Sequence, residues 1–425
     1  MMVTNTDICI LGGGLAGATL AAAISQNTNH SCLVVEARAQ DDLLQPDVTQ
    51  SDQRNLVLTY QSIRLLQQWR VLPDLLEQLR LIKQVQVRAA QNSVIPASVL
   101  SLHHSDVHLP YLGGVFPAHQ FIKAIHQQLH QSDHCTCQYQ TRAESVHMDT
   151  RGLPSVRLNT GNIVRCKLLM IAEGAQAKSA TQLNMHYKQQ NYGQKVCVFH
   201  LRIQDMKDAW GDRSLWHQDP YQALWYQIAD GSVALVPGYQ SSANTSTNTD
   251  TGVLDYGCIL TLNDTAADQW IAAPEAEQLR TLTSFLTLPD HMRIIQKGRV
   301  VAYPLTIGTA SELARPGVLL MGNSAANLPP LGAQSLNLHF RLSDLLIKKL
   351  IQQQTLPLTW SALSDLSATM RQEIDHISQV LGYSLDYLHY SAKHPLLSRC
   401  SNLGLQWLNR TKPLKTMLIR RALGI

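Results

Sequence analysis

A chain of 425 residues with 45% hydrophobic and 16% charged residues has the composition of an ordinary globular protein, too long for one small core, so two domains are expected. Lys and Arg total 35 against 31 acids, and the net charge of +4 is too weak and too dispersed for a nucleic-acid partner, which leaves a small molecule as the expected ligand. The eight cysteines show no paired spacing apart from Cys135 and Cys137, the pattern of a reducing, cytoplasmic compartment.

The stretch from Ile8 to Ile24 is apolar, but no Lys or Arg precedes it and three glycines interrupt it, so it reads as folded structure rather than a signal peptide. Within it, "TDICILGGGLAGATLAAAIS" gives a strand, a glycine turn and an alanine-rich helix, and "SCLVVEAR" follows as a second buried strand. Gly12, Gly14 and Gly17, with Leu15 and Ala16 between the last two, form G-x-G-x-x-G at the strand-to-helix junction, and Glu36 closes the second strand. Gly12 permits the tight turn, Gly14 lets backbone approach a pyrophosphate, Gly17 lets helix and strand pack closely, and Glu36 can accept hydrogen bonds from ribose hydroxyls. Strand, glycines, helix and acid together indicate an adenine dinucleotide, without separating FAD from NAD.

Further along, residues 115 to 130 read as a helix and residues 155 to 172 as two strands. "HQQLHQSDHCTC" places His126 and His130 at helical spacing ahead of His134, Cys135 and Cys137, but this spacing matches no zinc module, and a histidine-rich exposed helix end is the expectation, with no metal. "KVCVFHLRI" opens a β-rich region reaching to about residue 265, with the polar loop "SSANTSTNTDT" at 241–251 inside it. No Gly-x-Ser-x-Gly elbow, P-loop or internal repeat occurs, so hydrolase and kinase chemistry have no support. "GVLLMGNSAANLPPLGAQSLNLHF", residues 317–340, runs from a buried strand through Pro329 and Pro330 into a helix from about Gly332, whose first amides suit an anionic or electron-rich ligand. From about residue 341 the pattern is mostly helical. No acid follows Asp386, while Lys393, Arg399, Arg410, Lys412, Lys415, Arg420 and Arg421 accumulate among apolar residues, which fits either a helical cap or a docking face for an anionic membrane or a partner.

The N-terminal unit, "DQRNLVLTYQSIRLLQQW", "LLMIAEGAQAKS", "AYPL" at 302–305, the 317–340 segment and the closing "RALG" together resemble the single-component, FAD-dependent aromatic-ring hydroxylases, and among them the ubiquinone-biosynthesis hydroxylases, nearest the polyprenyl-6-methoxyphenol branch. The resemblance implies that the first motif holds the ADP part of a tightly bound, non-covalent FAD, that Arg54 and His119 lie near the cofactor, and that Glu173, Gly174, Asn323, Pro330, Ala333, Gln334, Ser335, Leu336 and Asn337 complete its site. On their own residues, Arg54 and His119 would be read as surface side chains. Relatives usually show Ala-Asp-Gly where this chain has Ala172-Glu173-Gly174, Gly-Asp where it has Gly322-Asn323 although asparagine also occurs in this branch, Gly-Gln-Gly where it has Ala333-Gln334-Ser335, and a proline near Gln227.

The expected fold is therefore α/β: a Rossmann-like FAD domain assembled from 1–75, 100–185 and 290–370, a β-sheet substrate domain from 76–99 and 186–289, and a helical C-terminal part, 371–425. The resemblance implies NAD(P)H- and O2-dependent hydroxylation of a polyprenylated phenol in ubiquinone biosynthesis, with NAD(P)H as a transient electron donor and no side chain identifiable as a catalytic acid or base. The cysteine pattern and the basic tail add the expectation of a cytoplasmic protein, with peripheral contact to the inner face of the membrane through 387–425 if the tail is a docking face, and a quinone-synthesis complex or a homo-oligomer is left open. The alternatives are a flavin hydroxylase acting on another aromatic and a non-catalytic member serving assembly or lipid binding.

Overall fold

The computed structural model describes residues 2–45, 54–88, 99–175, 177–205, 221–228, 231–238, 253–286, 288, 292–393 and 395–425; the 241–251 loop lies outside them. Among the described residues, two large sheets divide the work. The first has eight strands, and its central run is Val318–Leu320, Ile163–Ile171, Val3–Leu11, Cys32–Val35 and Cys135–Gln138, all parallel. Ile8 to Leu11 and Leu168 to Ile171 are buried without alternation, as expected of parallel strands covered on both faces. One cover is the helix Leu15–Asn27, in which Gly17 to Ser25 are all buried, so its alanines let it lie close on the sheet.

The second sheet has nine strands and is mostly antiparallel, built round the long strand Tyr187–Asp205, which pairs with Val253–Asn263, Met292–Lys297 and Val301–Ala310. On one face Leu201, Leu260, Val233 and Leu235 pack under the helices Asp264–Ala272 and Glu275–Leu286 into a core of their own. Strands from outside the expected 76–99 and 186–289 also join it: Val99–His103, Met292–Lys297 and Val301–Ala310 all pair there.

A third sheet of three short strands, Asn55–Thr59, Gly113–Pro117 and Arg80–Ile82, lies against the large sheet, where Val115 and Ile82 pack with Ala223 and Val236. Its presence corrects the expectation of a helix over 115–130. Val115 and Phe116 sit opposite Val57 and Leu56 as a strand, Pro117 ends that strand, and the helix runs only over Ala118–His130. The C-terminal part is helical as expected, in Gln334–Gln353, Trp360–Lys393, Pro395–Arg410 and Lys412–Leu423. Among the described residues no helix is long and apolar enough to cross a membrane.

Asn337 ties the small sheet to the helix Gln334–Gln353. Its Oδ1 accepts from the Thr59 amide at 2.9 Å, while its Nδ2 donates to the Val57 and Ala333 carbonyls at 2.9 and 2.6 Å. The side chain is 1% exposed, so no water can replace it. Asn337→Ala strands a buried amide and a buried carbonyl and is expected to lower unfolding free energy by about 3 kcal/mol, measured by urea denaturation; an unchanged midpoint would show that the strand does not depend on this side chain.

Candidate cofactor site

The glycine turn has the geometry its sequence promises. Gly12 has φ of +103°, and a Cβ there would stand 2.5 Å from the Ala172 carbonyl oxygen; a Cβ on Gly17 would stand 1.9 Å from the Gly12 carbonyl oxygen. Gly14 differs: its φ is −71° and a Cβ would meet no protein atom within 4 Å. The space beside Gly14 is open, and the helix that starts at Leu15 receives no side-chain cap. Uncapped amides facing open space fit the pyrophosphate of a dinucleotide.

Glu36, buried at the end of the second strand, accepts from the Gly13 amide at 2.7 Å through Oε2 and from the Arg38 amide and Nε at 2.9 and 2.8 Å through Oε1. Burial alone would raise its pKa, but the Arg38 guanidinium and these amides outweigh it and hold the carboxyl below its ordinary range. The acid is therefore charged at the place where a ribose would sit.

Two histidines that sequence reasoning did not assign to the site pin these backbone segments. His126, expected at an exposed helix end, is instead fully buried: its Nε2 donates to the Gly13 carbonyl at 2.8 Å and its Nδ1 lies 3.0 Å from the Tyr139 hydroxyl, which in turn contacts His130 Nε2 at 3.2 Å. Among the described residues no three His, Cys, Asp or Glu side chains converge to hold a metal, and the described cysteines are free. His339 sits between two loops, accepting from the Gly322 amide at 3.1 Å through Nδ1 and donating to the Ala16 carbonyl at 2.9 Å through Nε2. It is 3% exposed, and burial pushes its pKa down to about 4 against the opposing effect of the Ala16 carbonyl. A neutral imidazole with one donor and one acceptor is what both partners require. A single i, i+4 pattern or helix position carries no sign of such a role, because the partners lie 17 and 323 residues away.

Of the remaining expected residues, Gly174 meets the 322–324 turn, whereas Glu173 and Arg54 show contacts elsewhere. Gly174 has φ of +92°, a Cβ there would meet no atom within 4 Å, and its carbonyl accepts from Ser324 Oγ at 2.8 Å. Glu173 turns back on its own segment, accepting from the Ser179 amide and hydroxyl at 3.1 and 3.0 Å, so the extra methylene relative to aspartate is absorbed in a cap of the helix Lys178–Gln182. The Arg54 carbonyl accepts from the Ala118 amide at 2.9 Å, which brings Arg54 beside His119 at the open end of the small sheet.

Beyond Pro330, a short 3-10 turn carries Gly332 at φ +66° and Ala333 at φ +54°, and the helix begins at Gln334 without a side-chain cap. The chain thus keeps the left-handed turn that glycine favours, with alanine in it, at a cost of about 1–2 kcal/mol. Ser335 Oγ donates to Asn323 Oδ1 at 3.1 Å, a tie that glycine could not make, and the Asn323 carbonyl accepts from the Tyr187 hydroxyl at 3.2 Å. Gln334 and Asn337 spend their amides on backbone, and Leu336 packs against the main core. They shape the loop, on which Ala333 and Ser335 are half-buried and Asn323 is exposed.

Next to this loop the large sheet presents an apolar row. Val198, Ile259, Ala234 and Trp225 stand directly opposite one another in register across four strands, on the face away from the helix-covered core, and all four are only half-buried. Leu331 of the loop joins Val198, Ile259 and Tyr303 in packing round Val196, Leu305 and Leu385. A glycine turn fit for a dinucleotide and a half-buried apolar strip packed with Leu331, just before the uncapped helix start at Gln334, together fit the class of flavoprotein monooxygenases.

Comparison with known proteins agrees with that class. The FAD binding domain family matches residues 5–355, and the chain belongs to that family, with FAD as its cofactor. The chain is 23% identical over 422 residues to the 3-demethoxyubiquinol 3-hydroxylase of Escherichia coli strain K12, covering 99% of each. The fold is similar to the p-nitrophenol 4-monooxygenase PnpA of Pseudomonas putida DLL-E4 (TM-score 0.73, 13% identity, 100% of this chain and 99% of that one) and to the Diels-Alderase PyrE3 of pyrroindomycin biosynthesis (TM-score 0.69, 16% identity, 99% and 80%).

Gly14→Val separates fold from cofactor. The protein itself offers no clash, so the variant is expected to fold with wild-type circular dichroism and to lose FAD binding in titration; full FAD affinity would remove this turn from the site. Ala333→Gly relieves the left-handed alanine, offset by the entropy of glycine, and should raise unfolding free energy by about 0.5 kcal/mol with FAD still bound. Ser335→Gly loses the Asn323 tie, worth about 1 kcal/mol, and should weaken FAD several-fold. Acid stability follows from His339: its folded pKa lies below the unfolded value of about 6.5, so its contribution is complete above that pH and is lost as pH falls toward about 4. Glu36, with its lowered pKa, adds loss in the same direction at the acid end. His339→Phe should flatten the His339 part of the slope in denaturation measured from pH 7 to 4.

Proposed function

We propose that this chain uses FAD to hydroxylate the ring of a polyprenylated phenol in ubiquinone biosynthesis, with NAD(P)H as electron donor. The observation that carries the reading is the half-buried apolar row Val198, Ile259, Ala234 and Trp225 next to the helix start at Gln334. A ring lying on that row needs no polar partner beneath it, and a long isoprenoid tail prefers the same surface to water. The sequence similarity to a demethoxyubiquinol hydroxylase over 99% of both chains supports the substrate class.

The chemistry supplied by bound FAD would be acceptance of a hydride from the nicotinamide and activation of dioxygen. The chain holds the cofactor at its two ends. The Leu15 helix start and the Glu36 carboxylate would receive the ADP part. The uncapped amides at Gln334 and Ser335 would face the flavin ring and favour negative charge on it, with the helix dipole in the same sense. Asn323, with its Oδ1 held by Ser335, keeps its NH2 free to donate to a ribityl or phosphate oxygen. The apolar row and Leu331 exclude water from the reacting face.

Purified protein is expected to be yellow, or to become so with FAD, and to oxidise NADH or NADPH faster when a short-chain demethoxyubiquinol is added, yielding a product one oxygen atom heavier by mass spectrometry. Coloured protein that consumes nicotinamide without that product would point to another aromatic substrate. Folded protein that stays colourless in excess FAD would leave the assembly or lipid-binding reading.

A further inference from the structure

The last two helices carry side chains that the cofactor site does not use. In Pro395–Arg410, Leu403, Trp407 and Arg410 follow at positions i, i+4 and i+7, all exposed, Leu403 at 66% and Trp407 at 62%. In Lys412–Leu423 the inner face is Ile419 and Leu423, buried with Val107 and Leu112. Lys415 Nζ to Asp106 at 2.9 Å and Thr416 Oγ1 to the Asp106 carbonyl at 3.0 Å fix the same face to the body. A helical step of about 100° per residue then places Met417, Leu418 and Arg421 on the outer face, where they are exposed along with Arg420 and Ile425.

No Asp or Glu follows Asp386, so this outer surface mixes large apolar side chains with Arg410, Lys412, Arg420 and Arg421 and no acid of its own segment. Nucleic acid would use the charges and leave the apolar groups wet. An anionic bilayer uses both, since its headgroups attract the cations and its acyl boundary takes the apolar side chains.

The inner end of the same helix reaches the flavin loop. Gln334 Nε2 donates at once to the Gly332 carbonyl at 3.0 Å and to the Ala422 carbonyl at 3.1 Å. Gly424 closes the helix directly over Arg341, close enough that a Cβ there would stand 2.5 Å from Nη1. One short helix therefore has its outside in the solvent and its inside on the turn that positions the flavin ring.

We propose that the helix Lys412–Leu423 couples membrane docking to the flavin site: anionic bilayer engaged by Met417, Leu418, Arg420 and Arg421 bears on the Gln334–Ala422 hydrogen bond and shifts the turn at Gly332–Ala333. The proposal rests on the FAD-dependent reading above. It makes the surface that carries a lipid substrate also the surface that adjusts the cofactor's environment.

The test uses the FAD-loaded full chain with vesicles of phosphatidylcholine alone or with roughly a third phosphatidylglycerol, followed by co-sedimentation and by flavin fluorescence. Wild type is expected to sediment with the anionic vesicles only and to change its flavin emission on doing so. The Arg420→Glu, Arg421→Glu double variant should keep FAD but lose vesicle affinity by roughly tenfold or more, with no emission change. Gln334→Leu should sediment like wild type and give no emission change. Wild type that sediments with unchanged emission, coloured wild type that does not sediment, or a Gln334→Leu response equal to wild type would each overturn the coupling. Only a folded chain that takes up no FAD would overturn the flavoprotein reading as well.

Discussion

Two helix starts that receive no side-chain cap are what the rest of this structure is arranged to hold. The helices at Leu15 and Gln334 both begin without a side-chain cap, which alone would leave several donors unsatisfied at each. Such ends keep their direction only if the turns before them are held from outside. His126 does this at Gly13, His339 at Ala16 and Gly322, and Asn337 at Ala333. None of the three is an acid, so they fix the backbone without placing an anion where a cofactor's own charge belongs. Glu36, the acid beside the first turn, has its charge balanced by Arg38.

The departures from the pattern of related hydroxylases look less like decay once the contacts are known. Glu173 uses its length to cap the next helix. Asn323 and Ser335, where the resemblance leads one to expect an acid and a glycine, form a bonded pair. Ala333 is the one position where a cost persists, because its left-handed backbone gains no compensating side-chain contact among those described.

What the sequence makes legible is local. The glycine turn, the two strands round it and the start of the helix after Pro330 follow from steric rules acting over a few residues, and the structure has them where the motifs stand. Val115 and Phe116 read as helix in a window along the chain, because their strand character depends on partners near residue 57 that such a window does not include. Val99–His103 joins the large sheet for the same reason. His126 and His339 act across 113 and 323 residues. The apolar row on the large sheet exists only in the register of four strands, none of whose sequences marks Val198 or Trp225 as distinct from its neighbours.

The dinucleotide sheet closes with a strand from late in the chain: Val318–Leu320 lies parallel to Ile163–Ile171, next to the strand Val3–Leu11 that carries the glycine turn. His339, which joins that turn to Gly322, lies later still. During synthesis, then, the strand Val3–Leu11 emerges long before the partners that complete its surroundings, and about three hundred residues must be kept from misassociating in the interval. A strand–turn–helix unit that can form early therefore finds its last neighbours late, and the sheet around the glycine turn is whole only once two distant stretches of the chain have met.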